Sequence, residues 1–450
     1  MRCAPKCCSV DEIDATLRAL FPLCRSLTGR GNRETLRALG EVIPLRVHEY
    51  AAGAKVYDWT IPDEWNAREA WIQDASGRRL VDFAANNLHL VGYSAPARGA
   101  FTLAELTKHL HWREDLPEAI PYRTSYYARD WGFCISFEQY LRDFASLPEG
   151  TLFDVLVDTE FSRGSLSVGE LLIPGDTRQE ILLSTYFCHP SLANDNLSGT
   201  VLTAYLAREL LRRRTKYSYR VVFAPETIGA IAYCAHNEAA MKAVDCGFVV
   251  TCVAGRGPWG YKASIDEGHR INRIVEETFA EFSLPVLRYP FDPHGSDERQ
   301  YASPGFRINT VTISKDKYYE YKEYHSSLDT LAFISADALS RTLLLYLCAL
   351  EKLEDEVFYK SVNPHCELML SPRGLYPASG GGMLPGRNSG RELDLILWLM
   401  MLCDGATSLR DIARRANLPC AALGGMAALL AEKGLLELLP SPEKRWNSPV

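Results

Sequence analysis

The chain has 450 residues, of which 47% are hydrophobic and 23% are charged, and its formal net charge at pH 7 is -7. This length exceeds what one small core can hold and predicts a globular protein of two or three domains. The negative charge argues against general attraction to nucleic acid or to an acidic membrane face, although it permits cationic substrates.

The first eight residues lack the apolar stretch of a secretory signal, and no apolar run reaches the length of a membrane span. Thirteen cysteines are scattered along the chain, several of them in apolar runs, which predicts reduced core thiols and no disulfide framework. We therefore expect a cytoplasmic protein that does not bind membranes.

The amino-terminal part begins with an amphipathic helix pair near residues 10–42. The first helix is predicted over 10–24, and the segment 25–31 carries glycine where a helix stop is expected. The alternative for that segment is an anion-binding loop that uses Arg25. A strand-rich segment with several tryptophans follows from about 50 to 165.

Strands and helices alternate between about residues 166 and 355. Strands are predicted over 181–187, 219–224, 247–253 and 310–314, and helices over 198–213, 229–244, 266–282 and 336–353. This alternation predicts an α/β fold with a mixed, mainly parallel sheet between two layers of helices.

The carboxyl-terminal part shows a winged-helix pattern after a turn-rich linker at 372–382. Helices are predicted over 392–402, 409–416 and 419–433, with a turn at 404–408 and a strand at 435–439. The third helix has no Arg or Lys before Lys433, and a DNA-reading helix needs cations for phosphates. We therefore expect this domain to make protein contacts or to form a homo-oligomer, and we expect no nucleic-acid partner.

Residues 188–199 (CHPSLANDNLSG) place His189 and Asp195 in one loop between a predicted strand and a predicted helix. Ligands of open α/β sheets bind outside the carboxyl ends of the strands, where this loop lies. Cys188 precedes the histidine, but adjacent residues of a strand point to opposite faces, so we do not expect a Cys188-His189 dyad.

Two further residues complete a candidate metal site. Glu226 follows the predicted strand at 219–224, and His325 precedes a Ser-Ser-Leu-Asp segment that predicts a helix start. With His189 and Asp195 they form a mixed nitrogen and oxygen set that suits zinc or a similar divalent ion. Asp329 is predicted either to complement the dipole of that helix or to support His325.

The order of these motifs resembles the co-catalytic zinc aminopeptidase superfamily. The closer resemblance is to a bacterial aminopeptidase-like branch with an inserted domain and a carboxyl-terminal winged helix. It is carried by residues 188–199, by 295–301 (GSDERQY), by 303–306 (SPGF) and by 323–327 (EYHSS).

This resemblance implies a role for each motif residue. His189 would be one metal ligand, Asp195 the bridging carboxylate, Glu226 the base that takes a proton from the nucleophilic water, and His325 a ligand of the other metal. It also implies that residues 1–50 and 166–385 form the catalytic domain, that 51–165 form an inserted β-rich domain roofing the active site, and that 388–450 form the winged-helix domain.

The chain departs from the superfamily pattern at two expected carboxylates. Thr227 stands where a second Glu is usual, and the segment 252–257 contains Gly255 and no acid where a later ligand is expected. Fewer anionic ligands hold two cations less well. We expect a single Zn²⁺; the alternatives are that Asp297 and Glu298 fill the gap and two ions bind, or that no ion binds. The alternative for the acidic pair is a solvated surface.

Tyr319 and Tyr324 lie beside His325 in the sequence, and with Arg25 they are the candidate substrate-binding residues. Aromatic walls with few polar groups are usual in small-molecule pockets. The alternative is that these tyrosines are packed strand residues.

The favoured function is a metal-dependent hydrolase of an amide bond, an aminopeptidase or small-molecule amidohydrolase, whose partner is a peptide or an amide-containing small molecule. The second hypothesis is a single-zinc aminoacyl transferase or cyclase in polysaccharide or natural-product biosynthesis. The third is an inactive scaffold that acts through the winged helix.

Overall fold

The computed structural model describes residues 9–375 and 389–443. Its strands are β1 (Arg46–Ala51), β2 (Lys55–Val56), β3 (Trp59–Thr60), β4 (Glu64–Gln73), β5 (Arg79–Asp82), β6 (Ala97–Thr102), β7 (Leu110–His111), β8 (Phe133–Cys134), β9 (Leu152–Ser162), β10 (Ser165–Ile173), β11 (Glu180–Tyr186), β12 (Ser218–Ala224), β13 (Cys246–Val249), β14 (Trp259–Lys262), β15 (Val286–Tyr289), β16 (Asn309–Lys315), β17 (Phe358–Ser361), β18 (Asp404–Ser408) and β19 (Leu436–Leu439).

The α-helices of these ranges are α1 (Val10–Leu20), α2 (Arg30–Gly40), α3 (Leu103–Leu106), α4 (Phe137–Asp143), α5 (Gly199–Leu211), α6 (Ile228–His236), α7 (Glu238–Ala243), α8 (Arg270–Glu281), α9 (Glu298–Tyr301), α10 (Ala336–Glu354), α11 (Ser389–Leu402), α12 (Leu409–Ala416) and α13 (Cys420–Glu432). None of them combines the length and the apolar character that a membrane crossing requires.

An eight-stranded mixed sheet forms the centre of the larger part of the chain. Its strand order is β1-β10-β12-β11-β13-β16-β14-β15. The pairs β11/β12, β11/β13, β13/β16 and β14/β15 are parallel, and the pairs β1/β10, β10/β12 and β14/β16 are antiparallel. The predicted mixed, mainly parallel sheet is therefore confirmed.

Side chains of the central strands alternate between two hydrophobic cores. In β11, Ile181 and Leu183 join the core that also holds α1, α5, α8 and α10, whereas Leu182 joins the core on the opposite face. Successive side chains of a strand point to opposite faces, so a continuous apolar run is buried on both sides. This double burial leaves the loops at the strand ends as the places for polar chemistry.

A separate β-rich region lies between β1 and β10. Its main sheet has the order β5-β4-β9-β6, and its apolar face shares the second core with α6 of the larger part. The predicted β-rich insertion is present in the fold, while its boundaries at 51 and 165 stay predictions.

The winged-helix part packs α11, α12 and α13 around a core of its own. Its three-stranded sheet has the order β18-β17-β19 and includes a strand, β17, that lies before the linker. The turn predicted at 404–408 is wrong as a description of the whole segment, because Ser408 pairs with Phe358 in the sheet. Asp404 still bends the chain locally, since its carboxylate accepts from the amides of Ala406 and Thr407. Most of the predicted linker lies outside the described residues.

Candidate metal centre

The loop after β11 carries the first two candidate ligands. His189 is 3% exposed and Asp195 is fully buried. The loop is tied back to its strand by Asn196, whose amide donates to the carbonyl of Tyr186 at 2.8 Å and to the hydroxyl of Thr185 at 3.0 Å. Asn196, a residue of the same motif, thus fixes the conformation of the loop that carries His189 and Asp195.

His325 reaches the site from a turn segment and not from a helix start. The next helix, α10, begins only at Ala336, so the helix predicted after His325 is wrong. The hydroxyl of Ser326 donates to the carbonyl of Glu323 and stabilises a turn. The β-rich region clamps this turn from outside, because the amide of Tyr122 donates to the carbonyl of His325 at 2.8 Å.

The structure brings His189, Asp195 and His325 together. Ring nitrogens of the two histidines and a carboxylate oxygen of Asp195 lie within 4.8 Å of one another. Nε2 of His325 lies 2.9 Å from Oδ2 of Asp195, and the two imidazole rings are 5.3 Å apart. Two imidazole nitrogens and a carboxylate are a donor set that zinc accepts, so these residues fit the predicted ion.

The protonation states favour metal binding as well. Burial lowers the pKa of the His189 imidazole to about 4. Burial alone would raise the pKa of Asp195, but His189 and the hydrogen bond from His325 lower it to about 2. Because metal ligands must be deprotonated, His189 and Asp195 are ready to bind at neutral pH.

Glu226 lies at the edge of this cluster. Its Oε2 is 3.9 Å from Nε2 of His189, and its side chain keeps 24% exposure. Burial, followed by the negative charge of Asp195, raises the pKa of Glu226 to about 7. A carboxylate with a pKa near neutrality can both accept and return a proton.

Comparisons with known proteins show the family and the fold of the chain. Residues 14–356 match the family DUF4910, described as a domain of unknown function, and residues 357–438 match a winged helix-turn-helix family. The chain belongs to the DUF4910 family. It is 38% identical over 430 residues to a Clostridium acetobutylicum protein named "Putative polysaccharide biosynthesis protein with aminopeptidase-like domain", covering 95% of this chain and 96% of that protein.

Solved structures extend the comparison. A crystal structure of a "putative peptidase" from Clostridium acetobutylicum shares 37% identity, covers 96% of both chains and has a TM-score of 0.78. The zinc aminopeptidase BSAP from Bacillus subtilis has a TM-score of 0.56 at 13% identity, covering 76% of this chain and 94% of that one. The M28 peptidase precursor of Shewanella amazonensis has a TM-score of 0.54 at 13% identity, covering 76% and 91%. The DUF4910 domain therefore has the zinc-aminopeptidase fold.

The acidic pair of the DUF4910 domain is not a solvated surface, since Asp297 and Glu298 are at most 1% exposed. Oδ1 of Asp297 accepts from the amide of Thr227 at 2.7 Å and so holds the turn that carries Glu226. Oε1 of Glu298 accepts from Nζ of Lys262 at 2.7 Å. Among the described residues neither carboxylate belongs to a metal-suited group of three, so their role as ligands stays a prediction.

The position of Gly255 in the DUF4910 domain has no room for the carboxylate that the superfamily pattern predicts. A Cβ atom at this position would lie 2.2 Å from Oδ2 of Asp316. That oxygen also accepts from the amide of Gly257 at 2.8 Å. The glycine at position 255, where the superfamily has a carboxylate, is thus required by the close approach of Asp316.

The candidate substrate-binding residues lie in different surroundings. Tyr324 stacks on His325 with ring centroids 3.9 Å apart, and Tyr319, which is 61% exposed, meets Tyr324 edge-on at 5.2 Å. Both lie in turns between β16 and α10, so the alternative of packed strand residues is wrong. Their contact with a substrate stays a prediction.

Arg25 lies beneath the metal cluster and is 2% exposed. It lies beyond the first helix, which ends at Leu20, so the helix predicted to residue 24 is too long. Its Nε donates to the carbonyl of His189 at 3.0 Å, and Nη1 donates to the carbonyl of Leu20. Arg25 therefore positions the metal-site loop, and its contact with a substrate stays a prediction.

Sequence reasoning missed Tyr122 and assigned Asp329 to the wrong partner. The ring of Tyr122 lies 5.1 Å from the rings of both histidines, yet it comes from the β-rich region. Asp329 supports the loop of Asp195, not His325, because its carboxylate accepts from the amides of Asn194 at 2.6 Å and Asp195 at 2.9 Å. No local sequence signal could have assigned these long-range partners.

The strand-alternation argument used for Cys188 is also wrong. Its Sγ lies 3.8 Å from Nδ1 of His189, because both residues follow the end of β11 and do not alternate as strand residues do. Its Sγ also accepts from the amide of Glu226 at 3.2 Å. Burial and the charge of Glu226 raise the pKa of this thiol well above its usual range, which disfavours a thiolate nucleophile.

Proposed function

We propose that the chain is a zinc-dependent hydrolase that cleaves an amide bond in a peptide or in an amide-containing small molecule. The observation that carries this proposal is the convergence of His189, Asp195 and His325, with Glu226 at 3.9 Å from one of them. The zinc-aminopeptidase fold of the DUF4910 domain supports it.

The proposed chemistry divides the work among the site residues. A zinc ion held by His189, Asp195 and His325 would supply Lewis acidity and would lower the pKa of water in the site. Glu226 would accept the proton of the attacking water and return it to the leaving amine, which a pKa near 7 allows.

Side chains around the cluster would fix the ligands and shape the substrate pocket. The hydroxyl of Tyr186 donates to Oδ1 of Asp195, which keeps that carboxylate in one orientation. Tyr319 and Tyr324 would provide an aromatic wall beside His325. Tyr122 would close the site from the β-rich region.

A direct test replaces the proposed base. Glu226→Gln should reduce amide hydrolysis by about 10²–10⁴-fold, the range typical of a lost general base, without loss of zinc. The matched control is Glu351→Gln, because Glu351 is 62% exposed and pairs with Arg213 on the surface. Full turnover by Glu226→Gln would refute the role of this residue.

A second candidate function has its own support. The missing carboxylates at Thr227 and Gly255 favour a single ion, and the relative from Clostridium acetobutylicum carries polysaccharide biosynthesis in its name. One zinc would suit an aminoacyl transferase or a cyclase. Reaction in ¹⁸O-labelled water separates the two candidates, because hydrolysis incorporates the label in the product and transfer or cyclisation does not.

For the winged helix we propose contacts with protein, including a second copy of this chain, and no nucleic-acid or membrane partner. The solvent face of α13 presents Ala421, Ala422, Gly425 and Leu429 and no cation, which is unsuited to phosphates. Leu429→Glu should reduce the oligomer mass measured by light scattering if this face mediates the contact. DNA binding by the unmodified chain would contradict the proposal.

An inactive scaffold that acts through the winged helix is the third candidate. It predicts no turnover with any amide substrate and loss of partner binding in Leu429→Glu.

We also propose the cytoplasm as the location, supported by buried thiols such as Cys246 and Cys252, which suit a reducing compartment.

A further inference from the structure

A cavity of about 370 Å³ lies between the DUF4910 domain and the winged helix, away from the candidate metal centre. Arg270 and Arg307 line it from the DUF4910 domain, and Arg414 and Arg415 line it from the end of α12. Its volume falls in the range of small-molecule sites, which often form at domain interfaces.

The carboxylates that line this cavity already have donors. Asp245 lies 2.6 Å from Nη2 of Arg270, and Glu443 lies 2.7 Å from Nζ of Lys360. Asp411 lies 2.5 Å from Nε of Arg273. The carboxylate of Asp266 accepts from the amide of Gly268 at 3.0 Å. Three of these four carboxylates are paired with a cation, and Asp266 is the one of the four that could offset a further cation of the lining.

The cationic side chains are less fully matched. Within residues 9–375 and 389–443, neither Arg414 nor Arg415 has a carboxylate partner. Arg270 is 6% exposed, and its Nε has no hydrogen-bond partner although its other nitrogens contact Asp245 and His269. Arginines in the last turn of a helix complement its dipole, but this does not account for the cavity or for the buried unpaired N–H.

The two domains are joined beside the cavity by a buried ion network. Arg273 of α8 is 4% exposed in its side chain and lies 2.9 Å from Glu356, which is fully buried, as well as beside Asp411 of α12. Replacing Arg273 would leave the buried Glu356 with a longer contact, 3.7 Å from Nε of Arg410, so the Arg273 contact helps to hold the domains in one arrangement. The cavity is therefore formed before any ligand arrives.

We infer that this cavity binds a compact oxyanion, the phosphate or carboxylate group of a small molecule, between the two domains. Guanidinium groups present forked donors that match both kinds of group. Because the arginines come from both domains, the bound anion stabilises their association. The winged helix thereby takes part in a ligand site, which neither a DNA reader nor a simple dimerisation module requires.

Calorimetric titration of the full chain with inorganic pyrophosphate and, separately, with citrate tests this inference. We expect a dissociation constant at or below about 1 mM for at least one of them, measured at fixed ionic strength. The stronger of the two identifies the source as a phosphate or a carboxylate compound. Absence of binding by both probes would overturn the inference.

The double variant Arg414→Ala/Arg415→Ala should weaken the binding by at least about tenfold. Arg414→Lys/Arg415→Lys keeps the charge but loses the fork, so it should fall between that variant and the unmodified chain. The matched control is Arg18→Ala/Arg341→Ala, two exposed helical arginines in i,i+4 pairs elsewhere. Equal weakening in the control would mean that the binding depends on the general charge of the chain, and it would overturn the assignment. Unchanged binding in Arg414→Ala/Arg415→Ala would also overturn it, because these arginines would then not contact the anion.

Discussion

Removal of the Asp329 carboxylate should loosen the loop that presents Asp195. Asp329 is fully buried and accepts from the amides of Asn194 at 2.6 Å and Asp195 at 2.9 Å. Asp329→Ala would leave both N–H groups buried without a partner. Each such group costs about 1–3 kcal/mol, so we expect about 2–6 kcal/mol of local destabilisation.

Hydrogen exchange of those two amides measures this effect locally, which avoids treating a multidomain chain as two-state. Exchange in Asp329→Ala should be at least about tenfold faster, since 1.4 kcal/mol is a factor of ten. Asp329→Asn keeps one acceptor oxygen, so its exchange rate should lie between those of the unmodified chain and of Asp329→Ala. The control is Asp337→Ala, an exposed carboxylate on α10. Unchanged protection in Asp329→Ala would refute the role given to this carboxylate.

Three further predictions follow from buried groups. Arg25→Met should weaken zinc binding by about 10–100-fold, because the carbonyl of His189 loses its hydrogen-bond donor. An unchanged zinc affinity, measured by competition with a chelator, would contradict this prediction. In the metal-free protein the ring of His189 should stay neutral down to about pH 5, because burial opposes the imidazolium and lowers its pKa to about 4. Protonation of the ring near pH 6.5, measured by ¹⁵N NMR, would contradict this prediction. Arg273→Met should cost up to about 3–5 kcal/mol, because the buried Glu356 loses its 2.9 Å partner and keeps the longer 3.7 Å contact to Arg410. Limited proteolysis should then release the winged helix more readily than in the unmodified chain, and equal resistance would argue against the ion network as the domain contact.

The sequence predicts the parts of the fold that depend on local pattern. Apolar runs such as β11 and β12 alternate with amphipathic helices, and this is enough to indicate the parallel centre of the sheet. His189 and Asp195 could be paired because one loop carries both. Glu226 could be added because it follows the neighbouring strand.

What the sequence did not predict depends on long-range contacts. The run of Asp297 and Glu298 is typical of a surface, and only the fold brings Lys262 beneath Glu298 to compensate its charge. The helix expected after His325 fails because the serine hydroxyl bonds a nearby carbonyl and forms a turn instead. Tyr122 reaches the site from a region that local periodicity cannot connect to it.

The metal content of the purified chain tests the central claim most directly. Elemental mass spectrometry should find one zinc per chain in the unmodified protein and should find it lost in His189→Ala and His325→Ala. The matched control is His294→Ala, because the His294 side chain is 88% exposed and its Nδ1 contacts the exposed carboxylate of Asp292. Retention of one zinc in the control together with its loss in both site variants is the predicted result. Equal zinc in all four proteins, or none in the unmodified chain after exposure to the ion, would contradict the proposed metal centre.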